Sequence, residues 1–170
     1  GLVAPLSSSH CVGASIAATN LVSVPAGATF VWTNSNSAIG LAASGTGDVP
    51  AFTTANAGSS ALTANISIVP TLNGCSGLAS NYSITVKPTP VLVAPSNVTV
   101  CAGAQVSQIT FSSNPAGAAF TWTNSNISIS LAASGNGNIS AFTTVNSGST
   151  QQQAIIGVSP ILNGCVGTIA

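Results

Sequence analysis

Charge is almost missing from this chain. Its 170 residues carry one lysine (Lys87), one aspartate (Asp48) and one histidine (His10), and charged residues make up 1% of the total. An average soluble domain carries about 25%. Binding a phosphate backbone takes clustered Lys and Arg, and docking on anionic lipid takes the same, so neither nucleic acid nor a membrane is an expected partner. General acid–base catalysis needs titratable groups, and calcium held between domains needs several carboxylate oxygens. A single aspartate supplies neither. No CxxC pair and no second histidine is present to hold zinc, so no metal or other cofactor is expected.

Other absences narrow the reading further. No run of 18 apolar residues exists, so no membrane-spanning helix is predicted. There is no methionine and no charged n-region followed by an apolar h-region, so we expect an internal or processed piece whose targeting segment is already gone. No segment has convincing helical periodicity.

What remains is a chain that is 45% hydrophobic, largely Ala and Val, with polarity supplied by Ser, Thr and Asn. Disorder needs low hydrophobicity with high net charge, which is the opposite balance. A packed core is expected, but a thin one.

The sequence is written twice. At an offset of 90, LVAP at Leu2–Pro5 meets LVAP at Leu92–Pro95, and Cys11 meets Cys101. WTNSN at Trp32–Asn36 meets Trp122–Asn126, LAASG at Leu41–Gly45 meets Leu131–Gly135, and LNGC at Leu72–Cys75 meets Leu162–Cys165. No gap breaks the register, the mark of a tandem repeat. We place the first repeat at residues 1–90 and the second at 91–170. The stretch NYSITVKPTP (Asn81–Pro90) has no counterpart, so the second repeat lacks its last strand, and a third repeat is expected to follow.

Within a repeat the signal is β throughout. Leu62, Ala64, Ile66 and Ile68 alternate with polar residues, as do Tyr82, Ile84 and Val86, and ATFVWTN (Ala28–Asn34) reads as a central strand carrying Phe30 and Trp32. Turn signals at Pro25–Gly27, Gly45–Asp48, Asn56–Gly58 and Asn73–Cys75 separate the runs. About seven short strands per repeat predict an all-β fold, two tandem immunoglobulin-like sandwiches. The Pro-rich join at 87–95 favours extended backbone, so a semi-rigid string of beads is expected.

Cys11/Cys75 and Cys101/Cys165 fall as one pair per repeat with equal spacing. We expect one disulfide in each, stabilising by roughly 4 kcal/mol in the chain-entropy model, with an oxidising, extracellular location. Four reduced, buried thiols are the alternative. Trp32, Trp122, Phe30 and Phe120 are assigned to the core, the tryptophans packing on the disulfide side of the sandwich, in preference to exposed sugar-stacking platforms. His10, Asp48 and a serine could form a triad on paper, but they align with Val100 and Asn138, so the second repeat lacks both. Gly45–Gly47 and Gly135–Gly137 are turns, not phosphate cradles, because no helix follows them. The sequons at Asn65, Asn81, Asn97, Asn126 and Asn138 are what so much Asn, Ser and Thr produces by chance.

The order C-x-G (Cys101–Gly103), F-x-W-T-N-x-N (Phe120–Asn126), I-x-L-A-A-S-G-x-G (Ile129–Gly137), A-F-T, N-G-C and I-T-V-x-P-T-P (Ile84–Pro90) resembles the PKD-like repeats of very large surface and secreted proteins of Bacteroidota. The resemblance covers nearly the whole chain. It implies immunoglobulin-like units in tandem, export through the outer membrane, commonly by the type IX system, and a role as adhesin, stalk or extracellular filament. It carries no catalytic motif.

The reading is therefore a non-catalytic structural module of a large extracellular protein, with other copies of itself and adjacent repeats as partners. Neutral surfaces remove like-charge repulsion between copies. The alternative is a binding module for surface glycans, presenting loops at Asn34–Gly40 or Gly45–Pro50 and acting by multivalency, or a spacer of a secreted enzyme.

Overall fold

The computed structural model describes residues 1–3 and 5–170; Ala4, in the first LVAP phrase, lies outside them. The chain forms two compact units, Gly1–Pro88 and Thr89–Ala170, and each is an all-β, immunoglobulin-like sandwich.

Unit 1 contains β1 (Ser8–Cys11), β2 (Ser15–Ile16), β3 (Thr29–Asn34), β4 (Ser44–Thr46), β5 (Phe52–Thr53), β6 (Leu62–Leu72), β7 (Cys75–Ser76) and β8 (Ser80–Lys87). Its main sheet runs β1-β8-β6-β3-β4, with β7 also on β6, while β2 and β5 pair separately. All these pairs are antiparallel except β1 with β8, which is parallel. Alternation decides which face is buried: side chains two apart share a face of a strand. Phe30 and Trp32 on β3, Ala64, Ile66 and Ile68 on β6, and Tyr82, Ile84 and Val86 on β8 all enter one core. Leu21, Ile39, Leu41 and Val49 close it from the opposite side.

Unit 2 contains β9 (Val91–Val93), β10 (Gln105–Val106), β11 (Ser112–Asn114), β12 (Ala119–Asn124), β13 (Ser134–Asn136), β14 (Phe142–Thr143), β15 (Ile156–Leu162) and β16 (Cys165–Val166). Its main sheet is β13-β12-β15-β16, with β10 on β14 and β9 on β11. The start of this unit is therefore strand, not only linker: Val91–Val93 lie within the Pro-rich join and pair with Ser112–Asn114. The buried cluster is smaller, formed by Phe111, Trp122, Leu131, Ile139 and Val158.

The two repeated phrases have one explanation. Asn34, at the end of β3, is buried. Its amide nitrogen donates to the carbonyls of Leu41 (2.9 Å) and Ala42 (3.2 Å), and its oxygen accepts from Asn36 N (2.9 Å). Asn36 in turn caps a short 3-10 turn, Ser37–Ile39, by accepting from Ala38 N. Ser35 Oγ accepts from Asn65 N on β6 at 2.8 Å. Thus WTNSN is stitched to LAASG on one side and to the central strand on the other. Gly45 of LAASG lies across the ladder from Trp32, and a Cβ there would run into the indole ring. Asn124, Asn126 and Ser125 make the same bonds in unit 2, and Gly135 lies against Trp122 in the same way.

Buried polar groups left without partners cost about 1–3 kcal/mol each. Asn34→Ala strands the Leu41 and Ala42 carbonyls and is expected to destabilise unit 1 by about 2 kcal/mol in urea denaturation. Asn36→Ala, which removes an exposed cap, is expected to cost less than half as much.

Candidate functional site: cysteine positions and an open strand slot

The aromatic residues singled out by sequence are interior. Trp32 is 2% exposed; Phe30 and Trp122 are also buried. Phe120 packs against the unit 2 core, its ring 5.7 Å from that of Phe111. None offers an open face for stacking a sugar.

His10 lies on β1 opposite Val86 of β8. Asp48 has a structural role: its Oδ1 accepts from Leu21 N at 2.8 Å. In unit 2 the amide oxygen of Asn138 accepts from Phe111 N at 2.9 Å. A neutral amide thus makes the same bond as the carboxylate. Among the described residues, no group of three or more His, Cys, Asp or Glu gathers in one place. Burial pushes the Tyr82 hydroxyl above its ordinary pKa, an effect that the neighbouring Thr19 side chain opposes in part. A shallow groove of about 320 Å³ in unit 2 is lined by Thr121, Thr123, Gly157, Ser159 and their neighbours, and holds no acid or base.

The cysteines correct the expected pairing. Cys11 and Cys165 are disulfide-bonded, whereas Cys75 and Cys101 are free and exposed. A bond between Cys11 and Cys75 is ruled out by strand length. Cys11 is opposite Lys87 on β8, one residue past the Val86–Leu62 pair at the start of β6. Cys75 is opposite Leu72, at the other end of β6. Ten residues at ~3.3 Å each put about 30 Å between these ends, and a disulfide tolerates Cα separations only up to about 7 Å. Unit 2 repeats the layout. Thr144 Oγ1 donates to Cys101 O as Thr54 Oγ1 does to Cys11 O, and Cys165 is opposite Leu162. The tryptophans consequently pack on Gly45 and Gly135, not on a disulfide.

The two units differ most at the place of β8. In unit 1, β8 lies between β6 and β1 and buries Tyr82, Ile84 and Val86. In unit 2 no strand occupies that place among the described residues. Residues 98–101, which align with β1, and 152–155, which align with the start of β6, are both outside any strand. Val98, Val100 and Ile155 are exposed, at 53%, 43% and 68%. Only the first rung is filled, where Val158 and Ala170 exchange backbone hydrogen bonds of 2.9 and 3.1 Å. The position matches the Ile68–Ser80 rung of β6 with β8. Beyond that rung, the place that β8 takes in unit 1 is an unfilled strand slot among the described residues of unit 2.

No protein-family model and no curated protein matches the chain. Among solved structures, it is similar to the tandem Ig repeats of Dlar, at 15% identity and a TM-score of 0.34, covering 99% of this chain and 94% of that one. It is also similar to the N-terminal Ig1-2 module of the Drosophila receptor protein tyrosine phosphatase DLAR, at 14% identity and a TM-score of 0.30, covering 98% and 93%.

Two outcomes follow from this geometry. Asp48→Asn is expected to change unfolding free energy by less than about 0.5 kcal/mol, within the range of ordinary surface substitutions, as measured by denaturant titration. In hydrogen-exchange mass spectrometry, residues 152–154 are expected to exchange much faster than 62–64, because backbone outside a ladder opens at little cost.

Proposed function

We propose that the chain is a non-catalytic building unit of a large extracellular repeat protein, forming a stalk or a self-assembling surface filament. The observation that carries this reading is the slot in unit 2. No strand takes the place of β8 among the described residues of unit 2, which supports completion of each repeat by a strand of the NYSITV pattern. In a tandem array the stretch following each repeat supplies that strand; a neighbouring chain donating one by strand addition is the other route. The resemblance to PKD-like repeats adds an origin in Bacteroidota and export by the type IX route. A surface that is nearly uncharged keeps contacts between copies insensitive to salt and pH.

Burying a Tyr, an Ile and a Val yields about 1.5–3 kcal/mol apiece. Much of this is offset by ordering the strand, but a covalently attached strand avoids the cost of association. The test is to append NYSITVKPTP after Ala170 and compare thermal unfolding. A net gain of about 2 kcal/mol corresponds to a rise of roughly 10 °C for a domain of this size, and residues 152–154 should become protected from exchange. An unchanged unit 2 transition, with 152–154 still exchanging freely, would refute the slot reading.

A further inference from the structure

The two free cysteines occupy positions whose repeat equivalents are oxidised. Cys75 aligns with Cys165 and Cys101 with Cys11, and both Cys165 and Cys11 are disulfide-bonded. The sandwich itself therefore holds each of these positions ready for a bond; in unit 1 the length of β6 forbids that bond from closing within the unit, and in unit 2 Thr144 holds Cys101 as Thr54 holds Cys11. The thiols of Cys75 and Cys101 are exposed, so nothing in their own unit covers them.

Each unit, taken by itself, also has a polarity. In unit 1, Cys11 ends β1 opposite Lys87, the last residue of β8, so it marks the end by which the chain leaves. Val12 N donates to the Lys87 carbonyl at the same place. In unit 2, Cys165 begins the strand that leads to Gly167, which abuts the carbonyl of Pro90, near the start of that unit. It marks the end by which the chain enters. By the repeat, Cys75 stands at the entry end of unit 1 and Cys101 at the exit end of unit 2. A thiol at an exit end and a thiol at an entry end are the two halves that meet when such units are placed in series.

We propose that Cys101 and Cys75 are cross-linking positions that join successive copies of this repeat head to tail, the exit-end thiol of one copy to the entry-end thiol of the next. This rests on the serial-array reading but is independent of the strand slot. The bond forms by thiol–disulfide exchange. A disulfide oxidant takes one thiolate into a mixed disulfide and releases a thiol, and the second thiolate then displaces the other half. The two cysteines lose two protons and two electrons, and the oxidant leaves as two thiols.

The experiment uses the two-unit chain in a glutathione redox buffer, quenched with iodoacetamide and read by non-reducing electrophoresis, light scattering and peptide mapping. The expected result is a ladder in steps of 16.4 kDa that collapses on reduction, with Cys75–Cys101 as the dominant new cross-link, well above the half share that random pairing gives. Cys75→Ser and Cys101→Ser, both at exposed positions, are each expected to remain monomeric alone and to form dimers when mixed. Either variant dimerising alone as readily as in the mixture would overturn the proposal. So would both thiols remaining open to alkylation throughout, or a Cys75–Cys101 bond found inside a monomer. None of these outcomes bears on the appended-strand result, so the two readings fail separately.

Discussion

The eleven-residue strand β6 is the constraint from which most of unit 1 follows. It is the longest strand of the unit among the described residues, and it bonds β3 on one side and β8 and β7 on the other. Its alternation chooses the core face, and its partners then place Trp32, Phe30 and Tyr82 on that face. Its length also separates the two ends of the unit by about 30 Å, which decides the chemistry of the cysteines. Where its partner β8 has no counterpart, in unit 2, the equivalent strand β15 is shorter, beginning at Ile156. The four residues before Ile156 have the same place in the repeat as strand residues of β6, yet have no ladder to join.

With almost no charge, and with cores built mainly of Ile, Leu and aromatic residues rather than the Ala and Val that dominate the apolar composition, the units rely for their polar contacts on hydrogen bonding carried through by small side chains. Asn34 and Asn124 hold loops that no salt bridge could hold in this composition, beside the buried Ile39 and Leu41 of one and Leu131 of the other. Thr54 and Thr144 tie the segments carrying Cys11 and Cys101 to the β2–β5 and β10–β14 ladders through their carbonyls. The identity of the repeated phrases follows from this: each letter of WTNSN either enters the core, bonds a neighbouring segment or holds the strand register.

Much of this was legible in the sequence. Period-two alternation identified β3, β6 and β8, the offset of 90 identified the two repeats, and the aromatic residues of the central strands went to the interior. The strand SSHC was harder, because Ser8–Cys11 has no apolar alternation and owes its extended form to a parallel partner 76 residues away (Ser8 with Ile84). Asn34 read as turn material, since a buried asparagine is indistinguishable from a solvated one until its partners are known. The cysteine pairing misled for a related reason. Equal spacing within each repeat reports that the positions recur, but it carries no information about which end of a sandwich each one occupies. The ladder registers of β6 do that for unit 1, and the bonds of Thr54 and Thr144 carry the placement to unit 2.

The central claim is that these units are links of a serial array, and cryo-electron microscopy of native surface material tests it most directly. The account predicts a regular fibre or stalk whose axial step is one sandwich, every unit having a strand between the equivalents of β6 and β1, with density joining the cysteine positions of successive units. Separate units with that slot open and those cysteines unbonded would contradict it.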